Sequence, residues 1–176
     1  YVRAMVGGRD NDYWDAQSVD GRVNLATGGS TGRQAGSSFK PFALVAALES
    51  GISPSTVFPA PSSIELPLDN GQVWDVSNAE PSSYGSLTLE QATISSVNTV
   101  YAQLIELLGP QAVVDVASRM GIRCCLRTSQ PKRPLLPYLS AVLGTNEVNT
   151  LEMSSAYGTL ATGGQHVNPV PVISIT

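Results

Sequence analysis

The chain has 176 residues, enough to bury a full core and suited to one domain or part of a larger one. Hydrophobic residues make up 42% and charged residues 14%, a globular balance that excludes a disordered chain. The net charge of −4 argues against nucleic acid, because phosphate binding needs a basic face.

The longest apolar run, Phe42 to Leu48, is far short of the roughly 18 residues that cross a membrane. Tyr1 to Val6 reads as the inside of a strand and not as a signal peptide, so the sequence is expected to begin within a longer protein. Cys124 and Cys125 are adjacent, and a bridge between neighbours would be strained; two buried or free thiols are expected. With His166 as the one histidine, no cluster has metal-ligand spacing, and neither metal nor cofactor is expected.

In chain order, Val2 to Val6 alternates weakly and ends at Gly7-Gly8, a strand entering a turn. Residues 9 to 36 are polar and Gly-rich and read as a long loop. Ser37 to Glu49 predicts a helix, with Pro41 in its first turn and Gly51 as its stop. Its body, Phe42 to Leu48, is apolar on nearly every side and is expected to lie buried. Residues 51 to 87 are rich in Pro, Ser and Gly and read as irregular, with Val73-Trp74-Asp75-Val76 as a short strand.

Thr88-Leu89-Glu90-Gln91 fits a capping box and opens a helical stretch. The stretch breaks near Ser95-Ser96, resumes from Asn98 to Leu108 with Tyr101, Leu104, Ile105 and Leu108 on one face, and ends at Gly109-Pro110. Gln111 to Met120 predicts a short helix closed by Gly121, and residues 127 to 137, with three prolines, a loop. Asn149, three positions before Glu152, starts a further helix through about Ala161, ended by Gly163-Gly164. Val170 to Ile175 is β-like.

A nucleophilic serine needs a base. A Ser-His-Asp triad would have to use His166, which sits in a turn rich in Gly, Pro and Asn. Lysine is a narrower search, since the chain holds only Lys40 and Lys132. Ser37-Ser38-Phe39-Lys40 places a hydroxyl and an amine at i and i+3, on one face of a helix start. Burial there disfavours the ammonium and leaves an amine able to take the serine proton. Free N–H groups at the helix start suit an oxyanion, and Gly36 permits a tight entry that exposes Ser37.

Spacing alone is weak evidence. Ser129-Gln130-Pro131-Lys132 repeats the pattern among prolines, with no helix to align the pair, and reads as a solvated loop. Ser96-Val97-Asn98 is the second element, a hydroxyl and an amide flanking one residue at a break between helices. By itself it would be a capping serine beside a surface asparagine. Downstream of a Ser37-x-x-Lys40 pair, it reads as the far wall of the same cleft.

S-x-x-K, an S-D-N variant and K-T-G together mark β-lactamases and penicillin-binding proteins. Longer strings make the sequence resemble the transpeptidase domain of class A (bifunctional) penicillin-binding proteins. They are Val2-Arg3-Ala4-Met5-Val6-Gly7-Gly8, Arg33 through Phe42, Leu143-Gly144-Thr145-Asn146-Glu147-Val148 and Leu151 through Tyr157, followed by Gly163-Gly164. The blocks run in family order from residue 1 to 176. The resemblance implies an α/β fold of the serine β-lactamase and penicillin-binding type, an antiparallel sheet flanked by helices plus a mostly helical region. This chain would supply most of the helices and little of the sheet.

It also implies a peptidoglycan DD-transpeptidase. Ser37 would attack the D-Ala-D-Ala carbonyl of a stem peptide, and Lys40 would deprotonate Ser37. Ser96 would relay a proton to the leaving amine, and Asn98 would hydrogen-bond the donor's amide. Stem peptides and β-lactam antibiotics are the implied partners. The implied location is the extracytoplasmic face of the bacterial membrane, held by an anchor outside this chain.

One departure from the pattern stands out. No K-T-G or K-S-G string occurs, since Lys132 is followed by Arg133-Pro134. Residues 1–176 are therefore expected to be a partial transpeptidase domain, with the strand carrying that motif after Thr176. A serine β-lactamase and a penicillin-binding sensor or inactive remnant are the alternatives. Val97 in the middle place of S-x-N counts against the first, and an acyl-enzyme lifetime of seconds or less marks a hydrolase, whereas hours marks a transpeptidase or a sensor.

Overall fold

The computed structural model describes residues 25–27, 32–68, 70–122 and 134–170. The readings of Val2 to Val6, Cys124 and Cys125, Ser129 to Lys132 and, beyond Val170, the terminal β-like stretch lie outside the described residues. The chain divides into two compact units, one of residues 35–116 and 136–145, the other of residues 1–34, 117–135 and 146–176.

The first unit opens with a 3₁₀ turn, Gly36–Phe39, that feeds helix α1, Lys40–Glu49. The sequence reads here as one helix, and Pro41 explains the difference. It has no N–H to close an α-type bond onto Ser37, and the Lys40 N–H takes the Ser37 carbonyl at the tighter 3₁₀ spacing instead. Phe39 and Phe42 are fully buried and meet edge to face, 4.8 Å between ring centroids. α1 is not buried all round: Leu44 and Val45 are half-buried and Leu48 is 47% exposed.

Residues 51 to 87 are more regular than their composition suggests. Strand β2, Val57–Ala60, pairs antiparallel with β5, Gly85–Thr88, and β3, Ser63–Pro67, pairs with β4, Val73–Ser77. Of these, only β4 is anticipated in the sequence. Each strand turns inward just one or two apolar side chains, such as Phe58, Leu66 and Val76, and serine and proline on the outward positions hide the period of two. Leu66 and Val76 pack on Ala102, fixing the β3–β4 hairpin to the helix that carries Asn98.

The helices follow their local signals closely. Helix α2, Leu89–Ile94, opens with the full capping box: the Gln91 N–H donates to Thr88 Oγ1 (3.2 Å) and the Thr88 N–H to Gln91 Oε1 (3.0 Å). The chain breaks at Ser95–Ser96 and resumes as α3, Asn98–Leu108, whose Tyr101, Leu104 and Ile105 are fully buried. Gly109, at φ 78°, ends α3, and α4 runs Pro110–Arg119. A 3₁₀ turn at Leu139–Leu143 completes this unit.

In the second unit β1, Arg33–Gln34, pairs antiparallel with β6, Glu147–Val148. β1 lies in the stretch read as loop, and two residues are too few to show a period. Helix α5, Thr150–Ala161, starts as expected at Asn149, whose Oδ1 accepts from the Glu152 N–H at 2.8 Å. The described residues thus form an α/β protein of helices with three two-stranded antiparallel ladders, and no helix among them is long and apolar enough to cross a membrane.

Candidate active site

The start of α1 is shaped by two glycines. Gly36 has φ 59°, a left-handed conformation that side chains resist, and it turns the chain into the 3₁₀ segment. Gly144, at φ 73°, lies against it so closely that a Cβ there would fall on the Gly36 backbone, while the Ala35 N–H donates to the Gly144 carbonyl at 3.0 Å. The entry to Ser37 is therefore clamped backbone to backbone.

Ser37 and Ser38 are both exposed, but their hydroxyls differ. Ser38 Oγ donates to the Ala35 carbonyl at 2.6 Å and is committed to the turn. Ser37 lies one 3₁₀ turn before Lys40, and at that spacing side chains i and i+3 eclipse each other.

Lys40 is 3% exposed, and its amine is held by three acceptors from the α2–α3 junction. Nζ donates to the Ser96 carbonyl (2.6 Å), to Ser96 Oγ (2.9 Å) and to Asn98 Oδ1 (2.7 Å). None of these partners is Ser37. Desolvation by burial lowers the amine from its usual 10.5 to about 8, so roughly a tenth of it is neutral at pH 7. Nζ also stands 5.3 Å from the centroid of the Tyr101 ring, within cation–π range. The Tyr101 hydroxyl pairs with Thr93 Oγ1 at 2.7 Å, which keeps the ring in place. Burial pushes the Tyr101 phenol up, against the opposing pull of the Thr93 hydrogen bond.

Ser96 has φ 52°, the one non-glycine among the described residues with positive φ. An L-residue there costs about 1–2 kcal/mol, and the same twist turns the Ser96 carbonyl onto the lysine. Its exposed side chain leaves the hydroxyl between the buried amine and solvent. Asn98 is engaged at both ends, with Oδ1 taking the Lys40 proton and Nδ2 donating to the Ser77 carbonyl at 2.9 Å. One N–H and one lone pair of that amide remain for a ligand.

The structure thus brings Lys40, Ser96 and Asn98 into hydrogen-bond contact and sets Ser37 one turn away. His166 belongs to the second unit, where Nδ1 stands 3.1 Å from Thr159 Oγ1. Sequence reasoning missed Tyr101 and Gly144 as parts of this site. Tyr101 reads only as a core-facing residue of α3, and nothing local marks it as a partner of Lys40. A glycine closing the 3₁₀ turn was the available sign for Gly144. Among the described residues no group of His, Cys, Asp and Glu has the arrangement of a metal site.

Helices packed beside short antiparallel strands, with a buried lysine bonded to Ser96 and Asn98, can be compared with known proteins. The crystal structure of penicillin-binding protein 1A from Haemophilus influenzae superposes with a TM-score of 0.70 at 25% identity, covering 89% of this chain and 21% of that one. Residues 2–176 match the penicillin binding protein transpeptidase domain, and the chain belongs to that family. It is 34% identical over 168 residues to penicillin-binding protein 1A of Neisseria meningitidis (serogroup A / serotype 4A), which covers 95% of this chain and 19% of the relative. It is 30% identical over 168 residues to penicillin-binding protein 1A of Aquifex aeolicus, covering 96% of this chain and 20% of the relative. The chain spans about a fifth of the length of these relatives.

Proposed function

We propose that this chain carries the acylation site of a serine DD-transpeptidase that cross-links peptidoglycan and binds penicillin covalently. The observation that carries the reading is a buried amine, held near pKa 8, bonded to the exposed Ser96 and one 3₁₀ turn after the exposed Ser37. Neutral Lys40 takes the Ser37 proton as Oγ attacks the D-Ala-D-Ala carbonyl of a stem peptide. The tetrahedral intermediate then collapses, the bond to the terminal D-Ala breaks, and that amine leaves with a proton passed from Lys40 through Ser96 Oγ. An amine from a second stem attacks the acyl-enzyme, returns a proton to Ser37 and completes the cross-link.

Lys40 Nζ has three donors facing three acceptors, so the resting cluster suits the ammonium. Loss of one proton frees the lone pair that the first step needs. Asn98, with one N–H left over, hydrogen-bonds the donor's amide. A Lys-Thr-Gly or Lys-Ser-Gly strand, absent from residues 1–176, would add the carboxylate-binding wall and part of the oxyanion hole. On this reading residues 1–176 are part of a transpeptidase domain whose parent protein is anchored at the outer face of the cytoplasmic membrane.

Labelling the intact protein with a fluorescent penicillin, followed by peptide mapping, tests the reading. The adduct is expected on Ser37 and to last for hours. An adduct on Ser38 or Ser129, or no adduct, would overturn it, and turnover within seconds would make the protein a β-lactamase.

A further inference from the structure

Asn98 is the one residue of the cluster tied to a strand, through the carbonyl of Ser77 at the end of β4. The next residue along, Asn78, is bonded in every direction. Its N–H donates to the Ser62 carbonyl at 3.0 Å, and its Nδ2 donates to the carbonyls of Pro61 (2.9 Å) and Ser82 (3.3 Å). Its Oδ1 accepts from the backbone N–H of Thr99 at 3.2 Å.

That last bond has a particular meaning. Thr99 lies in the first turn of α3, where backbone N–H groups have no partner within the helix. The residue at the helix cap is Val97, whose side chain makes no capping bond. Asn78, 21 residues upstream, takes over that duty. Thr99 is fully buried, and its Oγ1 donates to the same Pro61 carbonyl at 3.0 Å, so the two side chains close on one acceptor.

Ser77, the last residue of β4, and Asn78 just after it therefore grip two consecutive helix residues: Ser77 holds Asn98, and Asn78 holds Thr99. Asn98 can present its carbonyl to Lys40 only while the start of α3 keeps its place against the end of β4. We propose that Asn78 is a positioning residue of the acylation site, acting on Lys40 through Ser77 and Asn98. This rests on the reading of Ser37 as nucleophile and Lys40 as its base.

The experiment is a double-mutant cycle on the intact protein, with acylation by a fluorescent penicillin followed to saturation. Wild type, Asn78→Ala, Asn98→Ala and the double variant each yield a limiting acylation rate and a saturation constant. Labelling of wild type on Ser37 tests the underlying reading separately. Asn78→Ala is expected to lower the limiting rate roughly tenfold and to move the saturation constant less than about twofold, as slack in a reacting geometry does. In the Asn98→Ala background the same change is expected to cost less than about twofold more, because its route to Lys40 is already cut.

A residue that merely holds the fold behaves differently. Its penalty multiplies with that of Asn98→Ala, or the labelled fraction falls while the labelled molecules react at the wild-type rate. Either result, or an unchanged rate in Asn78→Ala, overturns the proposal. Should Asn78→Ala fail to fold, Asn78→Asp takes its place in the cycle. It keeps the acceptor for Thr99 and loses the Nδ2 donors to Pro61 and Ser82, so a limiting rate within about twofold of its parent is expected in either background, and a tenfold loss that persists in the Asn98→Ala background overturns the proposal.

Discussion

Lys40 and His166 are two side chains that a serine could look to for a base, and they are held in opposite ways. The three acceptors around Lys40 come from residues 56 and 58 positions away in sequence. The ring of His166 meets Thr159 Oγ1 (3.1 Å) and Asn168 Oδ1 (3.3 Å), partners seven and two positions away. The His166 ring also fills the space a side chain at Gly121 would need. Local bonds of that kind tie down a helix end. Partners gathered from another part of the chain, around an amine whose pKa burial lowers to about 8, are what the proposed proton transfer calls for.

The largest test of this contrast removes the proton that Lys40 gives and takes. Lys40→Arg keeps a cation but puts a group in place that holds its proton at any working pH. Penicillin acylation is expected to fall by roughly 10⁴-fold or more, the scale on which loss of a catalytic base is felt. Circular dichroism on the same sample checks that the fold has survived. A folded variant that acylates at near the wild-type rate would remove Lys40 from the mechanism.

Ser96 comes next, and it separates strain from chemistry. Ser96→Ala and Ser96→Gly both lose the hydroxyl, and acylation in each is expected to drop about a hundredfold to a thousandfold. They should part in stability. Alanine keeps the cost of φ 52° while glycine relieves about 1 kcal/mol of it. Ser96→Gly is therefore expected to melt roughly 2–4 °C above Ser96→Ala. Equal melting temperatures would show that the left-handed turn stores no strain.

What the sequence revealed and concealed follows the same division between local and distant partners. The Thr88–Gln91 box, the break at Ser95–Ser96, the Asn149 cap and the glycine stops are written within a few residues and appear in the structure where they were read. The Ser37–Lys40 spacing is legible for the same reason. Strands β2, β3 and β5 are not, because each is recognised only once a partner lines up its few inward residues. The closure of Asn98 onto Ser77, the Tyr101 ring beside Lys40 and the docking of Gly144 on Gly36 depend on packing between distant segments. Nothing in a window of ten residues encodes them.

The smallest expected effect is on the other side of the comparison. His166→Gln keeps a side chain able to hydrogen-bond Thr159, and the acylation rate is expected to stay within about twofold of wild type. The rate by itself would be a blunt test, so the pH profile carries the argument. A base that works only when neutral gives a rate that climbs with pH and levels off above its own pKa. With Lys40 near 8, the wild-type rate should rise about tenfold from pH 7 to its plateau, with a midpoint near 8. A histidine base would instead tie the pH dependence to His166. His166→Gln should leave the profile where it was. A wild-type rise that is lost in His166→Gln would transfer the role of base from Lys40 to His166.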